Sequence, residues 1–371
     1  MSNTMGIIFS NIHDSDIPEL TQSRTLGSIP FCGRYRLVDF ALSNMVNSVI
    51  TKVGVITKSN YQSLMDHIGS GKDWDLARRH GGLMLLPPFD VEESTSLYDS
   101  RLEALKNIIG FIDKSSEEYV VMTDCDLVCN MNYEEIVRFH VRRNADITLV
   151  YGVSDAREMT ATNSIVLKVE EGGKVADMSF NPRVQGNANL FANVFVLKRT
   201  LLSSLVKDAI SHNKHHFSAD IVAANLNSLR VYAFEHRGYL AKITSLQSYY
   251  DHSMELLNSD NMKEVFENNY VYTKIRDSAP TKYGDDAVVK NSLIADGCII
   301  EGEVENSILF RGVKVAKGAK VTNSILMQDT IISDKATINC IITDKNVIIT
   351  DGRHLSGCDV NPFYIRKNTK V

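Results

Sequence analysis

The last quarter of the chain repeats itself. Asn291-Ser292-Leu293-Ile294, Asn306-Ser307-Ile308-Leu309, Asn323-Ser324-Ile325-Leu326 and Asn339-Cys340-Ile341-Ile342 begin 15, 17 and 16 residues apart, with Gly297, Gly302, Gly312 and Gly318 in the intervals. A unit this short cannot bury its own apolar residues. It becomes stable only by stacking on copies of itself, with about three six-residue strands per coil and an apolar residue of each strand turned inward. The spacing therefore predicts a parallel β-helix of roughly four to five coils over residues 286–371, with Ile325 among its inward positions.

Before it the pattern is different. Short apolar runs at Gly6–Ser10, Lys52–Thr57, Tyr119–Thr123, Ile147–Tyr151 and Val231–Phe234 read as strands. Amphipathic stretches at Tyr98–Ile112, Tyr133–Arg143 and Leu246–Asn258 read as helices. Such alternation predicts an α/β domain over residues 1–260, with a mixed, mainly parallel sheet covered by helices, and a linker over 261–285. Ligands in such sheets gather at the carboxyl ends of the strands, which directs attention to the ends of the first strand and of Tyr119–Thr123. The 371 residues carry 40 basic and 45 acidic side chains, a net charge of −5, which argues against a nucleic-acid partner. No apolar run is long enough for a membrane span and the N-terminus lacks a signal-peptide layout. The six cysteines form no two-residue-spaced pairs and read as reduced core thiols of a cytoplasmic protein.

The segment Pro30–Ser48 (PFCGRYRLVDFALSNMVNS), with Trp74-Asp75-Leu76 and His80-Gly81-Gly82 ahead of Pro87-Pro88, resembles the bacterial glucose-1-phosphate adenylyltransferases, also called ADP-glucose pyrophosphorylases. The resemblance spans almost the whole chain. It implies a Rossmann-like nucleotidyltransferase domain followed by a left-handed parallel β-helix, the second part having been reached independently from the repeat. It also implies chemistry: a glycine-rich loop with cations for the phosphates of ATP, and two aspartates for Mg²⁺.

The residues at those positions have changed. The first strand runs into Ser10-Asn11-Ile12-His13-Asp14-Ser15-Asp16, which has no glycine, and Asp16 stands where the family has an arginine. Leu26 replaces a lysine and Gly27 the proline after it. Asp126 matches the first metal aspartate, but the second is Lys242, whose ammonium has donors only and would pair with Asp126 instead. The lysine expected to grip glucose 1-phosphate is Asn181, in Phe180-Asn181-Pro182. The family's Gly-Thr-Ala-Asp and Phe-Gly-Lys-Asp stretches read Asp99-Ser100-Arg101-Leu102 and Phe217-Ser218-Ala219-Asp220. Asp124 reads either as a substitute metal ligand or, in preference, as a solvated strand-end carboxylate.

Within the family these losses resemble the GlgD-type subunits. That implies a regulatory chain with no catalytic residues, no metal and no bound cofactor of its own, Mg²⁺ and ATP being used by a catalytic partner subunit. It implies a hetero-tetramer, or a homo-oligomer when alone. Arg24, Arg34 and Arg36 are retained, and the resemblance offers them as an anion site for a phosphorylated effector, completed by Arg311 or Arg353. The alternative for these arginines is structural pairing with carboxylates such as Asp39. Two further functions stay open: an active nucleotidyltransferase with substituted ligands, and a free-standing sugar-phosphate or nucleotide sensor. His212, His215 and His216 lack a thiol or carboxylate at ligand spacing and read as a surface loop. A solenoid acyltransferase would need a catalytic histidine in the coils, where only His354 stands, at their end.

Overall fold

The computed structural model describes residues 3–87, 100–155, 164–183, 186–267 and 269–371. Nine strands form one sheet: β1 (Thr4–Phe9), β2 (Lys52–Ile56), β3 (Gly82–Leu86), β4 (Tyr119–Asp124), β5 (Ile147–Asp155), β6 (Ile165–Val169), β7 (Val175–Phe180), β8 (Asn187–Lys198) and β9 (Val231–Glu235). Their order is β7-β6-β8-β4-β1-β2-β3, with β5 pairing β8 and β9. β1 is central because all six of its residues are apolar or small and buried, as a strand covered on both faces requires. It runs parallel to β2 and β4, aligning Phe9 with Ile56 and Asp124. The antiparallel β8 joins β4 to β5, so the sheet is mixed around a parallel centre. The five strands expected from the sequence are present. The anticipated helix Tyr98–Ile112 begins outside the described residues and is divided into Arg101–Asn107 and Ile109–Lys114.

From Lys282 onward three five-stranded parallel sheets stack into the β-helix. The coil corners explain the repeated asparagines. Asn291, Asn306, Asn323 and Cys340 all have positive φ (40°, 46°, 47° and 51°), a conformation that asparagine tolerates better than most residues. The serines that follow them form a ladder: Ser307 N–H donates to Ser292 Oγ, Ser324 N–H to Ser307 Oγ and Ile341 N–H to Ser324 Oγ, each at 3.1 Å. This register corrects the fourth repeat. Leu293, Ile308, Ile325 and Ile342 are aligned across the coils, so the corner is Cys340 rather than Asn339, and the last interval is 340 − 323 = 17 residues.

Ile325 also differs from expectation. It is fully buried, but together with Ile308, Phe310, Met327 and Ile342 it belongs to the core of the α/β domain. The solenoid interior is built instead from Leu309, Leu326, Val315, Val321, Ile332, Ile338 and their neighbours. One wall of the β-helix is thus part of the first domain's core. Tyr250 Oη, from the helix Leu246–Glu255, donates to Asn323 O at 2.7 Å, and Gln247 Nε2 donates to Asp359 O across the same seam. Five cysteines are buried and Cys358 is exposed, none of them in a disulfide. Among the described residues no helix is long and apolar enough to cross a membrane.

Candidate functional site

β1 and β4 end side by side, and the loop leaving β1 folds over the end of β4. Ser10 Oγ donates to Ile56 O and Gly27 N–H to Ser10 O, which fix the start of the loop. A side chain at Gly27 would meet Cys125 Sγ and Ser10 Cβ at 3.2 and 3.3 Å, so this close approach has little room for anything larger. Asp14 accepts the N–H of Leu26 at 2.7 Å; burial pushes its carboxyl up to about 7. The Asp14 and Asp16 amides donate to Asn11 O and His13 O. Amides that a phosphate loop would aim outward are here used within the loop. Leu26 itself is buried and brings no charge.

His13 crosses from this loop to the end of β4. Its Nδ1 donates to Asp16 at 3.2 Å and its Nε2 to Asp124 at 2.9 Å, with Asp126 at 3.6 Å. Burial alone would lower its pKa, but Asp126, Asp124 and Asp16 outweigh burial and raise it to about 10, so the ring is an imidazolium at neutral pH. Asp124 also pairs with Arg101, whose guanidinium lies 5.3 and 5.1 Å from the ring centres of Phe9 and Phe195. Although burial works against ionisation, Arg101 and His13 hold the Asp124 carboxyl below its ordinary value. Asp124 is therefore not the solvated strand-end carboxylate expected: it is 1% exposed and bound by two cations.

Lys242 ends the strand Leu240–Lys242, which pairs antiparallel with Leu127–Cys129. That pairing carries its Nζ to 3.8 Å from Asp126. Burial raises the Asp126 carboxyl, with His13 and Lys242 opposing, and its oxygens accept no hydrogen bond among the described residues. His13, Asp124 and Asp126 have ligand atoms within 4.8 Å of one another. They do not fit the Mg²⁺ that the resemblance implies. Mg²⁺ takes oxygen donors in a near-octahedral shell, whereas the second carboxylate here is an ammonium and Arg101 already holds Asp124. Asn181, with a positive φ of 48°, lines a cavity of about 400 Å³ beside His13 and Arg101.

The three arginines are not assembled into one open anion site. Arg24 makes a bidentate pair with Asp344 of the β-helix at 2.7 and 2.8 Å, and Tyr364 Oη adds a third bond to that carboxylate at 3.0 Å. Arg36 donates to Ser63 O and Oγ, while Asp39 accepts the Arg36 N–H and faces His67 at 2.6 Å. Arg24 thus makes the structural carboxylate pairing given as the alternative, with Asp344 in place of Asp39, whereas the Arg36 guanidinium bonds to Ser63. Arg34 is exposed over the Tyr35 ring. Arg311 pairs with Asp296 and Arg353 with Thr350, away from Arg24. Lys345 lies beside Arg24 and Arg36, and Arg276 beside Arg36; sequence reasoning missed both. Burial first, then Arg36 and Arg24, lower the pKa of Lys345 to about 7. His212, His215 and His216 are exposed, but the expectation that no carboxylate stands near them does not hold: His212 faces Asp208 at 3.1 Å and His215 faces Glu103 at 3.6 Å.

Comparison with known proteins agrees with this architecture. Residues 17–259 match the family described as nucleotidyl transferase, and 278–361 match a GlmU-like C-terminal hexapeptide family. The glycogen biosynthesis protein GlgD of Bacillus subtilis is 34% identical over 366 residues, covering 98% of this chain and 95% of that one. GlgD of Geobacillus stearothermophilus is 35% identical over 371 residues, covering 100% and 98%. The glucose-1-phosphate adenylyltransferase of Thermosipho melanesiensis is 33% identical over 321 residues, covering 86% and 77%.

Proposed function

Because the chain belongs to the nucleotidyl transferase family that holds the glucose-1-phosphate adenylyltransferases and the GlgD proteins, we propose that it is a regulatory, non-catalytic subunit of ADP-glucose synthesis. It works in the cytoplasm, in glycogen biosynthesis, by assembling with a catalytic glucose-1-phosphate adenylyltransferase that makes ADP-glucose from ATP and glucose 1-phosphate. The observation that carries this reading is the centre itself, where Lys242, His13 and Arg101 crowd the two aspartates that end β4 and follow it. Such a centre has basic side chains against both aspartates and turns the Asp14 and Asp16 amides inward, away from a triphosphate. The reading of an active enzyme with Asp124 as substitute ligand is disfavoured because Asp124 is already held by two cations.

Assembly has a surface to use. The first coil leaves the strands Lys282–Tyr283 and Val288–Lys290 at the ends of their sheets, with Tyr283 53% and Val288 44% exposed. Unpaired strand edges with apolar side chains invite pairing. A regulatory subunit must contact two states of its partner differently, or it shifts nothing. The test is co-purification with a catalytic relative, followed by light scattering for stoichiometry and turnover of the relative with and without this chain. A stable complex with altered turnover or effector response supports the reading. Failure to form a complex, with the relative's turnover unchanged, refutes it.

A further inference from the structure

The central cluster has a property that the loss of catalytic residues alone does not require. Replacing a metal ligand would leave a hole or a surplus of negative charge. Here the space is filled: the side chains of His13, Arg101 and Lys242, all bearing N–H donors, face the carboxylates of Asp16, Asp124 and Asp126. The side chains of Asp124 and Asp126 have no exposed surface and that of Lys242 has 7%. Charges left unpaired at that depth would be strongly destabilising. The three cations come from three separate places in the chain: the loop after β1, the start of the helix Arg101–Asn107, and the end of Leu240–Lys242.

We infer that the Ser10–Asp16 loop is an internal plug, with His13 filling the space beside Asp126 that the family gives to its divalent cation. Arg101 and Lys242 complete a centre in which basic side chains, rather than an ion, face the two aspartates. His13 is suited to this because its two ring nitrogens point to opposite sides, one to Asp16 within its own loop and the other to Asp124 on β4. The same side chain that stands in for the metal thereby holds the loop shut. A doubly charged ion placed between Asp124 and Asp126 would have to displace His13 and would sit near the charges of Arg101 and Lys242. Like charges at such separations repel, and the ion's double charge strengthens the repulsion.

This inference rests on the non-catalytic reading above, but its readout is metal binding by the chain alone, whereas that reading falls on turnover and assembly. Mn²⁺ is the probe, its paramagnetic signal reporting free and bound ion. The wild-type chain shows no binding with Kd below about 1 mM, and Mn²⁺ leaves its melting temperature unchanged. The variant His13→Gly/Lys242→Asp, which removes two cations and supplies a second carboxylate, binds Mn²⁺ at least about tenfold more tightly than wild type. Should that variant fail to fold, His13→Gly answers instead: it melts below wild type, and Mn²⁺ recovers part of the loss by entering the space vacated beside Asp124 and Asp126. Wild-type binding that disappears in His13→Gly would make His13, Asp124 and Asp126 a true metal centre and overturn the inference. So would a folded double variant that ignores Mn²⁺, or a folded His13→Gly variant that Mn²⁺ fails to restore.

Discussion

Replacing Arg24 by methionine keeps the length of the side chain and removes its charge, and the structure allows the consequence to be worked out. The guanidinium is 3% exposed and the Asp344 carboxylate 4%, and they are joined by two bonds of 2.7 and 2.8 Å. Removing one partner of a buried pair costs about 3–5 kcal/mol, because a charge is left buried without its counterpart. Asp344 would keep the Tyr364 hydroxyl and the Lys345 N–H as donors. The lower end, about 3 kcal/mol, is therefore expected. At about 2–4 °C per kcal/mol for large domains, the melting temperature falls by roughly 6–12 °C. Because the pair joins the α/β domain to the β-helix, the loss should also uncouple the two in calorimetry, turning one transition into two. Arg24→Met/Asp344→Leu should recover most of the stability, since replacing both partners by apolar groups is often neutral. The reasoning is refuted if Arg24→Met costs less than about 0.5 kcal/mol, as an ordinary surface change would. A phosphate-induced rise in melting temperature that vanishes with Arg24→Met would return this arginine to an anion-binding role.

Three further outcomes follow from the same interactions. His13 is raised from 6.5 to about 10, so its contribution is full below pH 6.5 and lost as the pH climbs through 10; the stability difference between wild type and His13→Gln, read by denaturant titration, should shrink across that window. Lys345 is lowered from 10.5 to about 7, so the unfolded chain binds more protons between those values and wild-type stability gains from this group as pH rises through them; Lys345→Met should be more stable than wild type at pH 7 and lose that advantage by pH 10.5. Ile325→Asp places a charge in the seam between the domains at a fully buried position, and several kcal/mol of destabilisation by thermal melting is expected; retention of wild-type stability would contradict the placement of Ile325 in the first domain's core.

The β-helix was legible because its period is written in residues that the fold needs one coil at a time. An asparagine tolerates the left-handed corner and the serine after it binds the next coil. The fourth repeat misled because Asn339 imitates a corner while Cys340 occupies it. Ile325 was read as facing the solenoid interior because both it and Leu326 are buried, Leu326 in the solenoid and Ile325 against the α/β domain. Periodicity reports burial, but not which of two cores receives the side chain. The losses at Asp16, Leu26, Asn181 and Lys242 were visible as residue types. What replaced the lost groups was not, because His13 meets Asp124 across 111 residues and Arg101 meets it across 23. The parallel register of β1 and β4 sets the loop of His13 beside Asp124, and Arg101 arrives from the start of a separate helix. Arg24 and Asp344 are 320 residues apart and are likewise joined by tertiary packing alone.

The central claim, that this centre no longer performs adenylyl transfer, is tested most directly by measuring ADP-glucose formation from ATP and glucose 1-phosphate by the purified chain alone in saturating Mg²⁺. Each missing preorganised donor of this kind costs about 10²–10³ in rate, and several are missing. The account predicts no turnover above the uncatalysed background. Turnover within about a hundredfold of a catalytic relative, a loss no larger than one missing donor would cause, would contradict it.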